Sequence, residues 1–343
     1  MKYKVINRPN PRNRKAPGKF HGTPVWDDRV KVLTTLLLVV LLLAGCGNDL
    51  GQSGSDPGDG LMPVRVAAIG MSVDVGSSEV SETRVATTIK TNDAKMGMFR
   101  RADAAKGYTE ANNVEYTYST ETSMWSNTSS PILVGYPETN LYAYYPYGAA
   151  TFIGSIATLT ARKYDAANDL SYATGTTGKV TKKAPNASFT MKRAYSRVSL
   201  SITRDATYRF ACSISNVKFR NGAAGTFYPD ATVDISSGTI TLGTVSDEGV
   251  DLDPGITGIT SGATNIAADF LLPPQTVDKG LFISLTTDGA AMSVTIPAST
   301  LNTLEAGQQY GITLLLKGSS LQLDNVETQD WTEETVGSEY ETH

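Results

Sequence analysis

"ASFTMKRAYSRVSLSIT" occupies residues Ala187–Thr203. Ala194, Ser196, Val198, Leu200 and Ile202 share one parity, which is the period of a strand that buries one face. Downstream, the same character returns at short spacing with turn residues between the runs. "FACSISNVKF" (Phe210–Phe219) is a strand, and "ATVDISSGTITLG" (Ala231–Gly243) reads as a hairpin turning at Ser237 and Gly238. "ADFLLPPQ", "LFISLTTDG", "MSVTIPA" and "YGITLLLKG" follow, and "STLNTLEAGQ" has room for a single helical turn. Many short strands at even spacing predict a β-sandwich. Cys212, inside one of these runs, reads as a small packed hydrophobe.

Upstream of Ala187 lies a second set of strands. Leu61–Val75 alternates in two phases: Val64, Val66 and Ala68 share one parity, while Ile69, Met71, Val73 and Val75 share the other. A strand that switches parity carries a bulge or bend, here near Ala67 and Ala68. A polar loop, "GSSEVSETRVATTI", carries Arg84. Met96–Arg100 and Val114–Tyr118 are β-like, and Trp125 lies in a Ser/Thr-rich turn region. "LYAYYPYG" (Leu141–Gly148) puts Tyr142 and Tyr144 on one face and Leu141, Ala143 and Tyr145 on the other. Both faces are bulky, so it reads as a strand covered on both sides and stopped by Pro146; an aromatic platform for a sugar is the alternative. Residues 149–186 read as irregular, which places a domain boundary near Asn186. Two ordinary domains, 61–186 and 187–343, suit the length of 343 residues.

The beginning of the chain is a leader. "TTLLLVVLLLA" (Thr34–Ala44) follows Arg29 and Lys31 and ends at Gly45 and Cys46. A basic flank, a short apolar stretch and small residues make a secretory signal, and the stretch falls short of the ~20 residues of a membrane span. "LAGC" at Leu43–Cys46 looks like a bacterial lipobox, which makes Cys46 the site of lipidation and residues 1–45 a removed leader. Translation from near Val30 would account for the long basic segment before it. Residues 46–60 read as a flexible acidic tether, and acidic residues just after the cysteine resemble surface-export signals of Bacteroidetes lipoproteins.

Composition removes several function classes. The histidines are His21 and His343 and the cysteines Cys46 and Cys212. Without the leader, one His and one free thiol remain, which excludes Ser-His-Asp and Cys-His catalysis and a His/Cys zinc site. No phosphate-binding or dinucleotide fingerprint is present, and no cofactor is expected. Residues 1–45 hold nine of the 30 Lys/Arg and two of the 34 Asp/Glu, so 21 basic and 32 acidic residues remain, about −11 net. Such a chain is no nucleic-acid binder. A paired-carboxylate hydrolase leaves no local signature, but nothing positive supports one.

Four features together resemble the Bacteroidales fimbrillin-like family, the subunits of type V pili. They are the lipobox at Cys46; Trp125 followed by "LYAYYPYG"; "ASFTMKRAYSRVSLSI"; and the ordered run from "DFLLPPQTV" through "LEAGQQYGITLLLKG" to "VETQDW", ending at Trp331. Relatives often have His and Ala where Lys192 and Ala194 stand here. The resemblance spans nearly all of the chain after residue 61. It implies an all-β protein of two β-sandwich domains with a transthyretin-like arrangement. It also implies a lipidated precursor at the outer membrane, a trypsin-like protease that cuts after an Arg, and assembly with other pilin subunits by strand addition.

On that resemblance Arg84 is the cleavage candidate, because a polar loop between strands offers an accessible bond. Arg65 lies inside the first strand, and Arg100 and Arg101 follow a strand that the fold needs. The removable strand is Leu61–Val75, with Val64, Val66, Ile69, Met71 and Val73 filling the groove. The tail after Trp331, "TEETVGSEYETH", is a poor apolar donor strand, so stalk, tip and anchor roles all stay open. The competing expectation is a lipid-anchored surface protein that never polymerises and binds a glycan or host ligand through Trp125 and exposed tyrosines.

Overall fold

The computed structural model describes residues 60–72, 89–254 and 265–331. Cys46, Val73 and Arg84 lie outside the described residues. The first eight strands of three or more residues are β1 (Arg65–Met71), β2 (Lys95–Arg100), β3 (Ala111–Ser119), β4 (Met124–Ser126), β5 (Leu141–Tyr145), β6 (Ile156–Thr160), β7 (Ser171–Ala173) and β8 (Asn186–Arg193). Then come β9 (Ser196–Arg204), β10 (Ile214–Asn221), β11 (Asp230–Asp234), β12 (Thr239–Leu242), β13 (Val250–Leu252), β14 (Asn265–Leu272), β15 (Leu281–Thr287), β16 (Ala290–Ile296), β17 (Gln308–Lys317) and β18 (Ser320–Asp330). The helical segments among the described residues are two single 3₁₀ turns, Ala104–Lys106 and Ala166–Asn168. The expected all-β class holds.

Seven strands close into a barrel in the order β7-β8-β1-β4-β3-β2-β5, with β5 pairing back to β7. Closure removes the free edges that an open sheet would present. All its pairings are antiparallel except β1 with β8. Val66, Ile69, Met96, Met98, Tyr116, Trp125, Phe189 and Met191 fill the interior. The second core lies between the sheet β14-β9-β17-β18, extended by Arg162–Lys163 beside β14, and the sheet β13-β10-β15-β16. Its apolar residues come from alternate positions, such as Val198, Leu200 and Ile202 on β9 and Ile312, Leu314 and Leu316 on β17. Cys212 is buried against this core, and burial pushes its thiol pKa up, as suits a packed rather than a reactive group.

A third core explains the double-sided burial of β5. Leu141 and Ala143 point into the barrel, while Tyr142 and Tyr144 face a cluster that also holds Phe99, Leu159, Tyr172, Tyr195, Val233 and Trp331. Gly97 is the register partner of Tyr144, and a Cβ there would overlap the Tyr144 ring. The Tyr144 hydroxyl donates to Asn113 Oδ1 at 2.8 Å, so the ring cannot swing away without losing that bond. Gly97→Ala is therefore expected to cost about 1–3 kcal/mol by overpacking, read as a lowered urea midpoint at unchanged slope.

Two expectations need correction. Residues 149–186 are not irregular: β6 pairs with β11, and Arg162–Lys163 pairs with β14, so this stretch supplies strands to the later sheets. Trp125 is not in a turn but sits at the centre of β4, 1% exposed. β8, which starts at Asn186, pairs with β1 and β7, and the chain changes sheet between Arg193 and Ser196. The hairpin at Ser237–Gly238 is found as β11–β12, and Pro297–Leu301 makes a single turn.

Candidate functional site

β1 is the strand whose seat matters. Val64 and Val66 precede its bulge and Ile69 and Met71 follow it, and all four are buried. The register with β8 runs Ala187↔Val66 and then Ser188↔Ala68, so Ala67 is the extra residue. The bulge lets two phases of sequence alternation face one interior. Beside β1 stand Trp125, partnered with Val66, then Phe189 with Ile69 and Met191 with Met71. Tyr116 closes the floor; burial pushes its pKa up to about 12, an effect partly offset by the Ile132 amide that donates to its oxygen at 3.0 Å. The seat is an apolar trough.

Just before β1 the Val64 amide donates to the Ile132 carbonyl at 2.8 Å and Met62–Pro63 pairs with Leu133–Val134, while along β1 itself the fastening is uneven. Along β8 the ladder is interrupted only by the Ala67 bulge, and beyond it the Arg65 amide donates to the Pro185 carbonyl and the Ser72 amide to the Met191 carbonyl at 2.7 Å. Toward β4 the register is the single pair Val66↔Trp125. The Ile89 amide adds a bond to the Ile69 carbonyl at 3.3 Å, so the chain returns beside β1 after residues 73–88. A cleft of about 370 Å³, lined by Pro63, Val64, Arg65, Met124, Asn127 and Pro131 among others, opens along this weak seam.

The burial of the aromatic rings favours the expected core strand over the alternative of an aromatic platform. Trp125, Tyr142 and Tyr144 are 1%, 7% and 0% exposed, because each packs in one of the cores. They present no surface to a glycan.

One arrangement escaped sequence reasoning. Asp169, after the second 3₁₀ turn, forms a buried ion pair with Arg193 at the end of β8. The Arg193 guanidinium lies 4.0 Å from the Trp331 ring centroid. Tyr164 meets Trp331 edge-on at 5.8 Å, and Arg197 sits 4.1 Å over Tyr164 while pairing with Asp269 at 2.9 Å. Trp331 ends the described chain, and it shares a cavity of about 120 Å³ with Ser72, Lys192 and Arg193. The exit of β1 and the start of the C-terminal tail thus meet at one point. No local signal marks this, since Asp169, Arg193 and Trp331 are far apart in sequence.

A family model described as Fimbrillin-like matches residues 83–331, most of the chain. The chain belongs to the Fimbrillin-like family. The match starts one residue before Arg84 and leaves β1 of this fimbrillin-like chain outside it. Among solved structures, a proposed cell adhesion protein from Bacteroides ovatus is 17% identical, with 80% of this chain and 99% of that one covered and a TM-score of 0.56. A second, from Bacteroides uniformis, is also 17% identical, with coverage of 78% and 99% and a TM-score of 0.52. At these identities the likeness shows that this fimbrillin-like chain shares their fold. No curated protein matches it.

Proposed function

We propose that the chain is a non-enzymatic structural subunit of a cell-surface pilus. In this reading it is exported as a lipoprotein on Cys46, cut after Arg84 by a trypsin-like protease, and joined to other pilin subunits by strand exchange in the seat of β1. The observation that carries the reading is that seat: a strand lying entirely before Arg84 fills an apolar trough in a family-matched barrel that begins after it. Main-chain pairing to β8 and pockets for alternate side chains are what an incoming strand needs. Within residues 73–88 Arg84 is the single basic side chain, so such a protease has one bond to cut there. Arg100 is a poor alternative, since it is buried and bonded to the Thr109 and Leu133 carbonyls. Family membership and the cell adhesion relatives support a surface location.

The test is the N-terminal sequence and lipid status of protein sheared from native cell surfaces. A start at Val85 without lipid is expected, and Arg84→Ala is expected to keep the chain in its lipidated form. Sheared material that still begins at acylated Cys46 would sink the strand-exchange reading.

A further inference from the structure

The seat of β1 and the strand that fills it have different periods. On β8, Ala187, Phe189 and Met191 are buried in strict alternation, with Ser188 and Thr190 turned outward between them. Along the chain that fills the seat the buried residues are Val64, Val66, Ile69 and Met71, and the step from Val66 to Ile69 is one residue too long for a regular strand. The register pairs Val66 with Ala187, Ile69 with Phe189 and Met71 with Met191, so five residues of β8 face six of β1. Ala67 is the surplus: it has no partner in that register, and it is exposed.

The irregularity belongs to the resident strand rather than to the seat. Without Ala67 the sequence reads Val64-Arg65-Val66-Ala68-Ile69-Gly70-Met71, in which every second residue is one of the buried four. That is the period of β8. Toward β4 the register of β1 is a single pair with Trp125, which imposes no period of its own. A bulge leaves its extra residue unpaired and disrupts the ladder around it. The ladder in question is also parallel, which is slightly less stable per residue than an antiparallel one. β1 fills the pockets, yet its main chain fits them less well than a regular strand would.

We propose that the seat is shaped for a strictly alternating strand from a different pilin subunit, with large apolar residues at i, i+2, i+4 and i+6 and no bulge, and that Ala67 makes β1 the weaker occupant which such a strand displaces; this rests on the reading of the seat as the site of strand exchange. The tail of a second copy does not meet the pattern. Glu334, Val336, Ser338 and Tyr340 share one parity there, and Thr335, Gly337, Glu339 and Glu341 the other.

The test uses the chain that starts at Gly47, cut at a specific protease sequence placed at Arg84, so that β1 is held by its seat alone. Fluorescent peptides then compete for the seat: Leu61–Val75 as it stands, the same peptide lacking Ala67, and the tail peptide Thr332–His343. One ladder hydrogen bond is worth roughly threefold to tenfold in affinity. The peptide lacking Ala67 is expected to displace β1 and to bind more tightly than the natural peptide by at least that factor, and the tail peptide is expected not to bind. In a second arm the uncut chain with Ala67 deleted is expected to unfold at a higher urea midpoint than the natural chain. Equal or weaker binding of the shortened peptide, or a midpoint that falls on deletion, would show that the barrel needs the bulge; either would overturn the proposal and leave strand exchange standing. Tight binding of the tail peptide would overturn the assignment to a different subunit and make a second copy the partner. A cut chain that takes up none of the peptides would overturn strand exchange at this seat and the proposal with it.

Discussion

Freed of everything before Val85, the chain should not persist as a dispersed monomer. Val64, Val66, Ile69 and Met71 are all buried in the barrel. Full burial of each contributes about 1.5–3 kcal/mol, so their loss removes at most about 6–12 kcal/mol. Whole domains are stable by only ~5–15 kcal/mol, so a vacated trough lined by Trp125, Phe189 and Met191 cannot stay empty at no consequence. The chain from Val85 is expected to self-associate and to bind a hydrophobic dye, whereas the chain from Gly47 should be monomeric and dye-free. Light scattering after size exclusion reads the first property and fluorescence the second. A peptide of Leu61–Val75 added in trans should restore the monomer, because it supplies the missing strand. A monomeric, dye-free chain from Val85 with no peptide present would show that β1 is dispensable to the fold.

The second large effect lies at the junction of the barrel and the later sheets. The Asp169 and Arg193 side chains are 7% and 5% exposed, and Asp169 Oδ1 is buried without a hydrogen-bond partner among the described residues. Breaking a buried pair by deleting one partner strands the other charge, at a cost of about 3–5 kcal/mol. Asp169→Ala is therefore expected to lower the urea midpoint strongly. Replacing both members by apolar residues of similar volume, Asp169→Leu with Arg193→Met, should recover most of the loss, since the methionine keeps contact with Trp331. If the double variant were as unstable as Asp169→Ala alone, packing rather than the stranded charge would be the cause.

Much of this was legible in the chain because a period of two is a local signal. It located the faces of β1, β5 and β9, and the phase switch around Ala67 predicted the bulge that the register shows. Tyr142 and Tyr144, opposite Leu141 and Ala143, announced a strand covered on both sides, and two cores, one on each face, explain why. Pairing partners have no such signature. Nothing near Ile156 says that β6 joins β11, and nothing in "ASFTMKRAYSRVSLSIT" says that its first half seals the barrel while its second half opens another sheet. Trp125 was misplaced because β4 is a three-residue strand, too short for alternation to show. The Asp169–Arg193 pair depends on that long-range closure and could not be read before it.

In the proposed strand exchange, β1 must leave its seat for subunits to join. Val66 and Ala187 are register partners on β1 and β8. Neighbouring strands lie about 4.8 Å apart, within the Cα separations of roughly 4.4–6.8 Å that a disulfide tolerates. A chain carrying Val66→Cys and Ala187→Cys should form this staple, with Cys212 buried out of reach. The measurement is the oligomer distribution after a trypsin-like cut, with the staple closed and with it reduced. Cut chains that stay monomeric while oxidised and assemble once reduced are the predicted result. Equal assembly in both states would contradict strand exchange at this seat.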